Sequence, residues 1–232
     1  MFASAITQAI GGALPSALGV ALSPIPIIAV ILMLGTPRAR SDGPAFAVGW
    51  VAGLSVVSAL VLVVTSITGD ASTAGSSTSD SINWIKVGLG VVLVLAARKQ
   101  WRQRPEPGET AELPSWMATI DALPPGKALG AGLALSALNP KNLVLTLAAA
   151  ASIAQVPGIS LGEEIAAVAA FVVIASVTTV GAVLAYFVGG RRATTWLAGV
   201  KEFMAAHNAV IMMVILLLIG AKLIGDGIGA AG

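Results

Sequence analysis

The sequence predicts an all-α integral membrane protein with six transmembrane spans, arranged as a 3+3 inverted repeat in which spans 1 and 4 are broken. Three features carry that expectation. Hydrophobic residues make up 56% of the chain and charged residues 10%, with a mean hydropathy of +0.92, whereas a soluble domain carries roughly 25% charged residues; a water-facing surface cannot be assembled from this composition. Several stretches without charge reach the length of about 20 apolar residues that a helix needs to cross a hydrocarbon core. Proline-containing interruptions then recur at matching places in the two halves of the chain.

Spans are expected near residues 8–35, 44–67, 82–101, 128–153, 162–189 and 205–225. No charge falls within 1–36, 43–69, 142–162 or 165–190, and 203–221 holds His207 but no formal charge. Inside lipid only helices and closed barrels satisfy the backbone, and barrel strands of about 10 alternating residues are absent. The first apolar stretch lacks the basic region of a signal peptide and is read as span 1. The 69–81 segment, GDASTAGSSTSDS, has too little apolar surface to fold and is expected to be a solvated loop. In 103–126, Trp116, Ile120 and Leu123 recur at helical spacing and suggest a short helix on the membrane surface. Trp196, Val200 and Phe203 form a second such stripe, suited either to the surface or to packing against the bundle. The organisation is thus a first three-helix repeat (1–101), a cytoplasmic linker (102–127) and a second repeat (128–232).

Charge placement sets the orientation. Of the thirteen Lys and Arg residues, ten lie in alternate connections: Arg38 and Arg40; Arg98, Lys99, Arg102, Arg104 and Lys127; Arg191, Arg192 and Lys201. The intervening connections carry only Asp70 and Asp80, and Glu163 and Glu164. Both termini are therefore expected outside the inner (plasma) membrane. Lys86 and Lys222, near the outer ends of their spans, are expected to snorkel to the interface.

The halves resemble each other where Gly19-Val20-Ala21-Leu22-Ser23 matches Gly132-Leu133-Ala134-Leu135-Ser136, each leading into a break. Three spans per repeat is an odd number, so the halves enter the membrane from opposite sides, as in many transporters. At Ser23-Pro24-Ile25-Pro26 the prolines lack amide hydrogens, which frees the carbonyls of Val20 and Leu22. Pro140, in Asn139-Pro140-Lys141-Asn142, frees that of Ser136 in the same way. At 1.5 Å per residue, Pro26 lies about 18 Å from Arg38 and Lys141 about 21 Å from Lys127, which puts both breaks near mid-bilayer.

Lys141 is costly at that depth, by about 2.5–3.5 kcal/mol, and such residues face a bundle interior or a wet cavity. No Asp or Glu falls well inside any span to neutralise it. The alternatives are that Lys141 ties up carbonyls freed at the two breaks, that it sits uncharged, or that it meets an anionic substrate group. Ser23, Pro24, Pro26, Ser136, Asn139, Pro140, Lys141 and Asn142 are accordingly the candidate substrate-binding residues, with the asparagines able to donate to and accept from sugar or head-group hydroxyls.

These segments resemble the GAP family of the LysE superfamily, the group of the sulfolipid-addressing and peptidoglycolipid-addressing proteins. The resemblance rests on Leu22-Ser23-Pro24-Ile25-Pro26, on residues 116–121, and on the run from Leu135 through Asn139-Pro140-Lys141-Asn142 to Leu143. It implies export of anionic cell-envelope glycolipids beside a large exporter of the resistance-nodulation-division type. The rival readings are a LysE-like exporter of a small anion or amino acid, and a membrane scaffold that recruits a lipid-export complex without transporting.

The absence of cysteine excludes disulfides, thiolate metal sites and dithiol chemistry. No metal, cofactor or nucleic-acid partner is expected, and no catalytic constellation surrounds the single histidine, His207, which reads as an interface residue. A homodimer is expected, with Gly49 and Gly53 as a small-xxx-small step that serves contact within or between subunits. The same missing cysteines allow a clean topology test: a cysteine introduced at Ser77 should react with an impermeant reagent in intact cells and one at Gly108 should not, and the opposite pattern would reverse the orientation.

Overall fold

A computed structural model describes residues 4–68, 84–102, 104 and 124–229. The 69–81 loop and the surface helix through Trp116, Ile120 and Leu123 lie outside them. Among the described residues the chain is all-helical: α1 (Ala5–Ala21), α2 (Pro24–Leu34), α3 (Ala39–Thr68), α4 (Trp84–Arg102), α5 (Pro125–Ala137), α6 (Pro140–Ala154), α7 (Leu161–Ala206) and α8 (Asn208–Gly229).

The prolines explain the first and fifth helices ending where they do. Pro24 opens α2 and Pro140 opens α6, each at the first helical position, where a missing amide costs least. The preceding residues, Ser23 and Asn139, adopt nearly the same extended geometry (φ −70°, ψ 110° and φ −67°, ψ 118°). The chain bends by 52° between α1 and α2 and by 62° between α5 and α6. Both breaks expected from sequence are present. Their register differs from the sequence match, which pairs Ser23 with Ser136, whereas the two breaks pair Ser23 with Asn139.

α7 starts at a reciprocal capping box, in which Ser160 accepts from the Glu163 amide and the Glu163 carboxylate accepts from the Ser160 amide. It turns sharply at Gly190, whose φ of 52° and ψ of −133° suit glycine. The segment beyond, 191–206, folds back onto α2, with Leu197 buried and Val200 and Met204 packed against the same cluster. Of the expected aromatic stripe, only Val200 faces that cluster; Trp196 and Phe203 are exposed.

Among the described residues α3, the Leu161–Gly190 part of α7 and the Asn208–Gly225 part of α8 are each long and apolar enough to cross a membrane, and the number rises to five if each bent pair is one span. α4 carries Lys86, Arg98, Lys99 and Arg102 within 19 residues and is not among these. Large apolar side chains cover the outside of the bundle, with Ile67 79%, Val173 70% and Val188 89% exposed. Such faces suit lipid as solvent, and the fold is that of a multi-pass membrane protein.

α3 packs on α5 and α6, α7 on α1 and α2, α4 on α8, and α1 on α6. Small residues let the backbones approach. A Cβ added at Gly49 would strike the backbone of Leu129, one at Gly132 the carbonyl of Phe46, and one at Gly53 the hydroxyl of Ser136. The Gly49–Gly53 step is therefore used inside the chain, between α3 and α5. On α4 and α8, a Cβ at Gly90 would lie 2.7 Å from the Gly220 carbonyl, and one at Gly220 2.8 Å from that of Gly90.

The buried apolar residues fall into two clusters. One gathers Ile27–Leu34 of α2, Phe46 and Ala47 of α3, Ala182 and Val183 of α7, and Leu197. The other gathers Ala9–Val20 of α1, Trp50 and Leu54 of α3, Leu145–Ile153 of α6, and Ala167–Ala175 of α7. Replacing Gly53 with leucine should lower stability by at least the 1–3 kcal/mol typical of overpacking, about that order because backbone must move. Thermal unfolding in detergent should report this loss with unchanged oligomer mass; a change of mass at unchanged stability would place the glycines at a subunit interface instead.

Candidate functional site

Each helix break removes an amide donor and reshuffles its neighbours. At the first break the Ser23 amide bonds to the carbonyl of Val20 at 3.1 Å, compensating for the donor that Pro24 lacks. That shift leaves the Gly19 carbonyl, one residue earlier, without its usual i+4 partner. At the second break the Asn139 amide reaches back to Ala134, at 3.1 Å, and the carbonyl of Leu135 is left in the same position. Of the carbonyls expected from sequence, Val20 is re-satisfied by the Ser23 amide, which moves that deficit to Gly19, whereas among the described residues Leu22 and Ser136 gain no backbone donor and Leu135 joins Ser136 as an open acceptor at the second break.

Side chains from the second break reach Gly19 and Leu135. Lys141 Nζ donates to the Gly19 carbonyl at 2.9 Å and to Ser23 Oγ at 2.8 Å. Ser23 Oγ in turn donates to Asn142 Oδ1 at 2.7 Å, and Asn142 Nδ2 donates to the Leu135 carbonyl at 2.9 Å. One connected chain of bonds therefore runs from the end of α1, through Lys141, Ser23 and Asn142, to the end of α5. Asn142 is fully buried and Ser23 is 3% exposed. In such surroundings an unsatisfied polar group is expensive, so each member holds the others in place.

Electrostatics favour this arrangement. The carbonyl end of α1 carries partial negative charge and faces the Lys141 amine, while the amide ends of α2 and α6 bring partial positive charge to the same level. Pro24 and Pro26 remove two of the first three amides of α2, so that end contributes dipole more than donors. Asn139 caps α6 by accepting from the Lys141 amide at 3.1 Å, which fixes the backbone that carries the lysine. Among the described residues no carboxylate pairs with Lys141. Its ammonium has three N–H donors, of which Gly19 and Ser23 take two.

Of the expected site residues, Ser23, Lys141 and Asn142 meet directly and Asn139 supports them. Pro24 and Pro26 are buried at the bend, while Pro140 is exposed. Ser136 is buried but bonds to the carbonyl of Leu133 in its own helix, facing Gly53. Two contributors escaped sequence reasoning. Thr178 of α7 donates to the Ala21 carbonyl at 2.6 Å, fastening the first break to a third element. Thr146 bonds back to the Asn142 carbonyl at 2.8 Å. The signal for both was a hydroxyl within an uncharged span. His207 stands apart, capping α7 and stacked on Phe203 at 4.3 Å. A crevice of about 200 Å³ lies beyond the site, between the end of α2 and the segment after Gly190, and is lined by none of these residues.

Thr178→Val keeps the side-chain shape and removes the donor to Ala21, so it should cost about 1 kcal/mol, and Asn142→Leu, which strands both Ser23 and the Leu135 carbonyl, about 2–3 kcal/mol. Thermal unfolding of the purified protein in detergent should rank Asn142→Leu below Thr178→Val and both below the native chain; equal midpoints would show the network contributes nothing.

No curated protein and no solved structure matches the chain. A family model described as Sap, sulfolipid-1-addressing protein matches residues 13–229. That span takes in both breaks, every residue of the Lys141 network and all but the first few residues of the described bundle, so the chain belongs to the sulfolipid-1-addressing protein family.

Proposed function

We propose that the protein moves an anionic cell-envelope glycolipid across or within the plasma membrane, with the head group received at Lys141 between the two helix breaks and the acyl chains left in lipid. The observation that carries this reading is the Lys141 amine itself. It is an amine held at a break by a carbonyl and a hydroxyl, without a protein carboxylate among the described residues, and in its protonated form it has one N–H beyond the two already committed. A sulfate or phosphate ester supplies the missing negative charge and takes that donor. The family name, sulfolipid-1-addressing protein, agrees with a sulfated head group.

The proposal includes a six-span inverted repeat, with α4 as the third span and the α1–α2 and α5–α6 pairs as the first and fourth, as in LysE-type transporters. The helix pairing supports it: exchanging the halves turns the α7 contacts with α1 and α2 into the α3 contacts with α5 and α6, and leaves α4–α8 and α3–α7 unchanged, whereas the α1–α6 contact has no comparable counterpart between α5 and α2. The positive connections, on this reading, face the cytoplasm and both termini face outward. Because the network bonds one half to the other at the breaks, an anion that draws Lys141 away from Gly19 and Ser23 loosens the contact between halves. Alternating access of a transporter requires such a step.

In proteoliposomes, translocation of a sulfated galactosyl lipid should fall about 10- to 100-fold in Lys141→Met, the range expected when a charged hydrogen bond of about 1.5–3 kcal/mol is lost. Lys141→Arg should retain part of the activity, and the unsulfated lipid should be indifferent to both changes. Undiminished translocation by a folded Lys141→Met protein would overturn the reading.

A further inference from the structure

Between the two apolar clusters lies a buried polar layer. On α3 and α7, which contribute to both, and along the bent pairs α1–α2 and α5–α6, the change from one cluster to the other falls at a comparable depth. Ser23 precedes the end of α2, Trp50 follows the start of α3, Ser136 follows the start of α5 and Thr179 precedes the turn at Gly190, each by about 16 Å of helix rise. These helix ends are on one side of the bundle. α2 and α3 are joined there by a short turn, α5 runs alongside α3 with Leu129 against Gly49 and Leu133 against Gly53, and a Cβ on Gly43, near the start of α3, would touch Val183 of α7.

Three side chains in this layer are buried with unused hydrogen-bonding atoms. Trp50 Nε1, Ser176 Oγ and Thr179 Oγ1 have no partner among the described residues, at exposures of 0%, 3% and 1%. Two further such atoms lie elsewhere: Ser58 Oγ two turns along α3 and Asn208 Oδ1 at the start of α8. An indole N–H without an acceptor and hydroxyls without partners lower the stability of the folded protein, and such groups collect where a ligand completes them. Thr179 adjoins Thr178, which fastens the first break, so α7 presents hydroxyls at the level of the Lys141 network.

Their chemistry differs from that of Lys141. None is charged; Trp50 offers only a donor, whereas Ser176 and Thr179 offer both donor and acceptor. Uncharged groups of this kind match sugar hydroxyl and ring oxygens, not an isolated anion. We propose, on the basis of the glycolipid reading above, that Trp50, Ser176 and Thr179 are the sugar-recognising side of the head-group site: Lys141 takes the anionic ester and these three residues, from α3 and α7, take the sugar. They decide specificity between a glycolipid and any other anionic lipid.

The test measures equilibrium binding to the purified full chain of three probes: a sulfated galactosyl lipid, its unsulfated counterpart and cholesteryl sulfate, which has the same ester without a sugar. The native chain should prefer the sulfated galactosyl lipid to cholesteryl sulfate. Ser176→Ala and Thr179→Val each remove a polar atom with little change of shape and should melt at the same temperature as the native protein or higher, whereas Trp50→Phe also leaves a cavity and should melt lower; all three should bind the sulfated galactosyl lipid about tenfold more weakly. Binding of cholesteryl sulfate should not change. Lys141→Met should lose both sulfated probes. If the three variants bind the sulfated galactosyl lipid like the native chain while Lys141→Met does not, the sugar site is refuted and the anion site stands. If Lys141→Met binds like the native chain, the anion reading itself fails, and the three variants still decide the sugar site through their effect on the two galactosyl lipids.

Discussion

A backbone carbonyl that loses its helical partner away from water must find another donor, and most of the organisation around Lys141 follows from this requirement. The two breaks leave the carbonyls of Gly19 and Leu135 exposed in a buried layer. The donors that reach them, Lys141 and Asn142, sit next to each other on α6, and Ser23 links them. Both carbonyls are thereby satisfied by one pair of adjacent residues. The first half cannot close its own break with the side chains it contributes, since Gly19 depends on Lys141, and the Asn142 that serves Leu135 within the second half is itself held by Ser23 of the first.

That reciprocal dependence requires the halves to lie close together, and glycine makes the approach possible. Gly49, Gly53 and Gly132 remove side chains at the α3–α5 contact, where any Cβ would enter the opposing helix. Gly90 and Gly220 do the same between α4 and α8. In lipid, where apolar surface has little preference for other apolar surface, close van der Waals packing between such helices supplies much of the association. The polar network then selects which of the well-packed arrangements is adopted, because only one register satisfies Gly19, Leu135, Ser23 and Asn142 together.

The polar layer sets stability against function. Two apolar clusters lie on either side of it, whereas the layer itself holds a lysine without a carboxylate and three hydrogen-bonding atoms without partners among the described residues. A sequence selected for stability alone would fill these positions with alanine, valine and phenylalanine. Their retention is understood on the glycolipid reading, in which a charged, hydroxyl-rich head group enters the layer while its tails remain outside the bundle among Ile67, Val173 and Val188.

How much of this was legible in the sequence depends on the range of the interaction. Proline acts on its own backbone, so Pro24 and Pro140 marked both breaks, and uncharged runs marked the spans because each must be apolar along its whole length. Lys141 stood out because a charge in an apolar run is costly wherever the chain folds. Local rules could not say where the acceptor deficits would settle: the amides of Ser23 and Asn139 each had two carbonyls within reach, and the choice opened Gly19 in place of Val20 and added Leu135 beside Ser136. The break register was hidden for a related reason, since the small and apolar residues that match in sequence serve packing, while the extended geometry before each proline sets the bend. Thr178, Trp50 and Thr179 were indistinguishable from core residues until α7 and α3 were placed beside the breaks. The sequence by itself determined the apolar spans, the positions of the breaks and the presence of an intramembrane cation, because these are properties of single segments; only the tertiary structure decided which carbonyls the cation meets and which polar groups share its layer, because those partners come from segments more than a hundred residues apart.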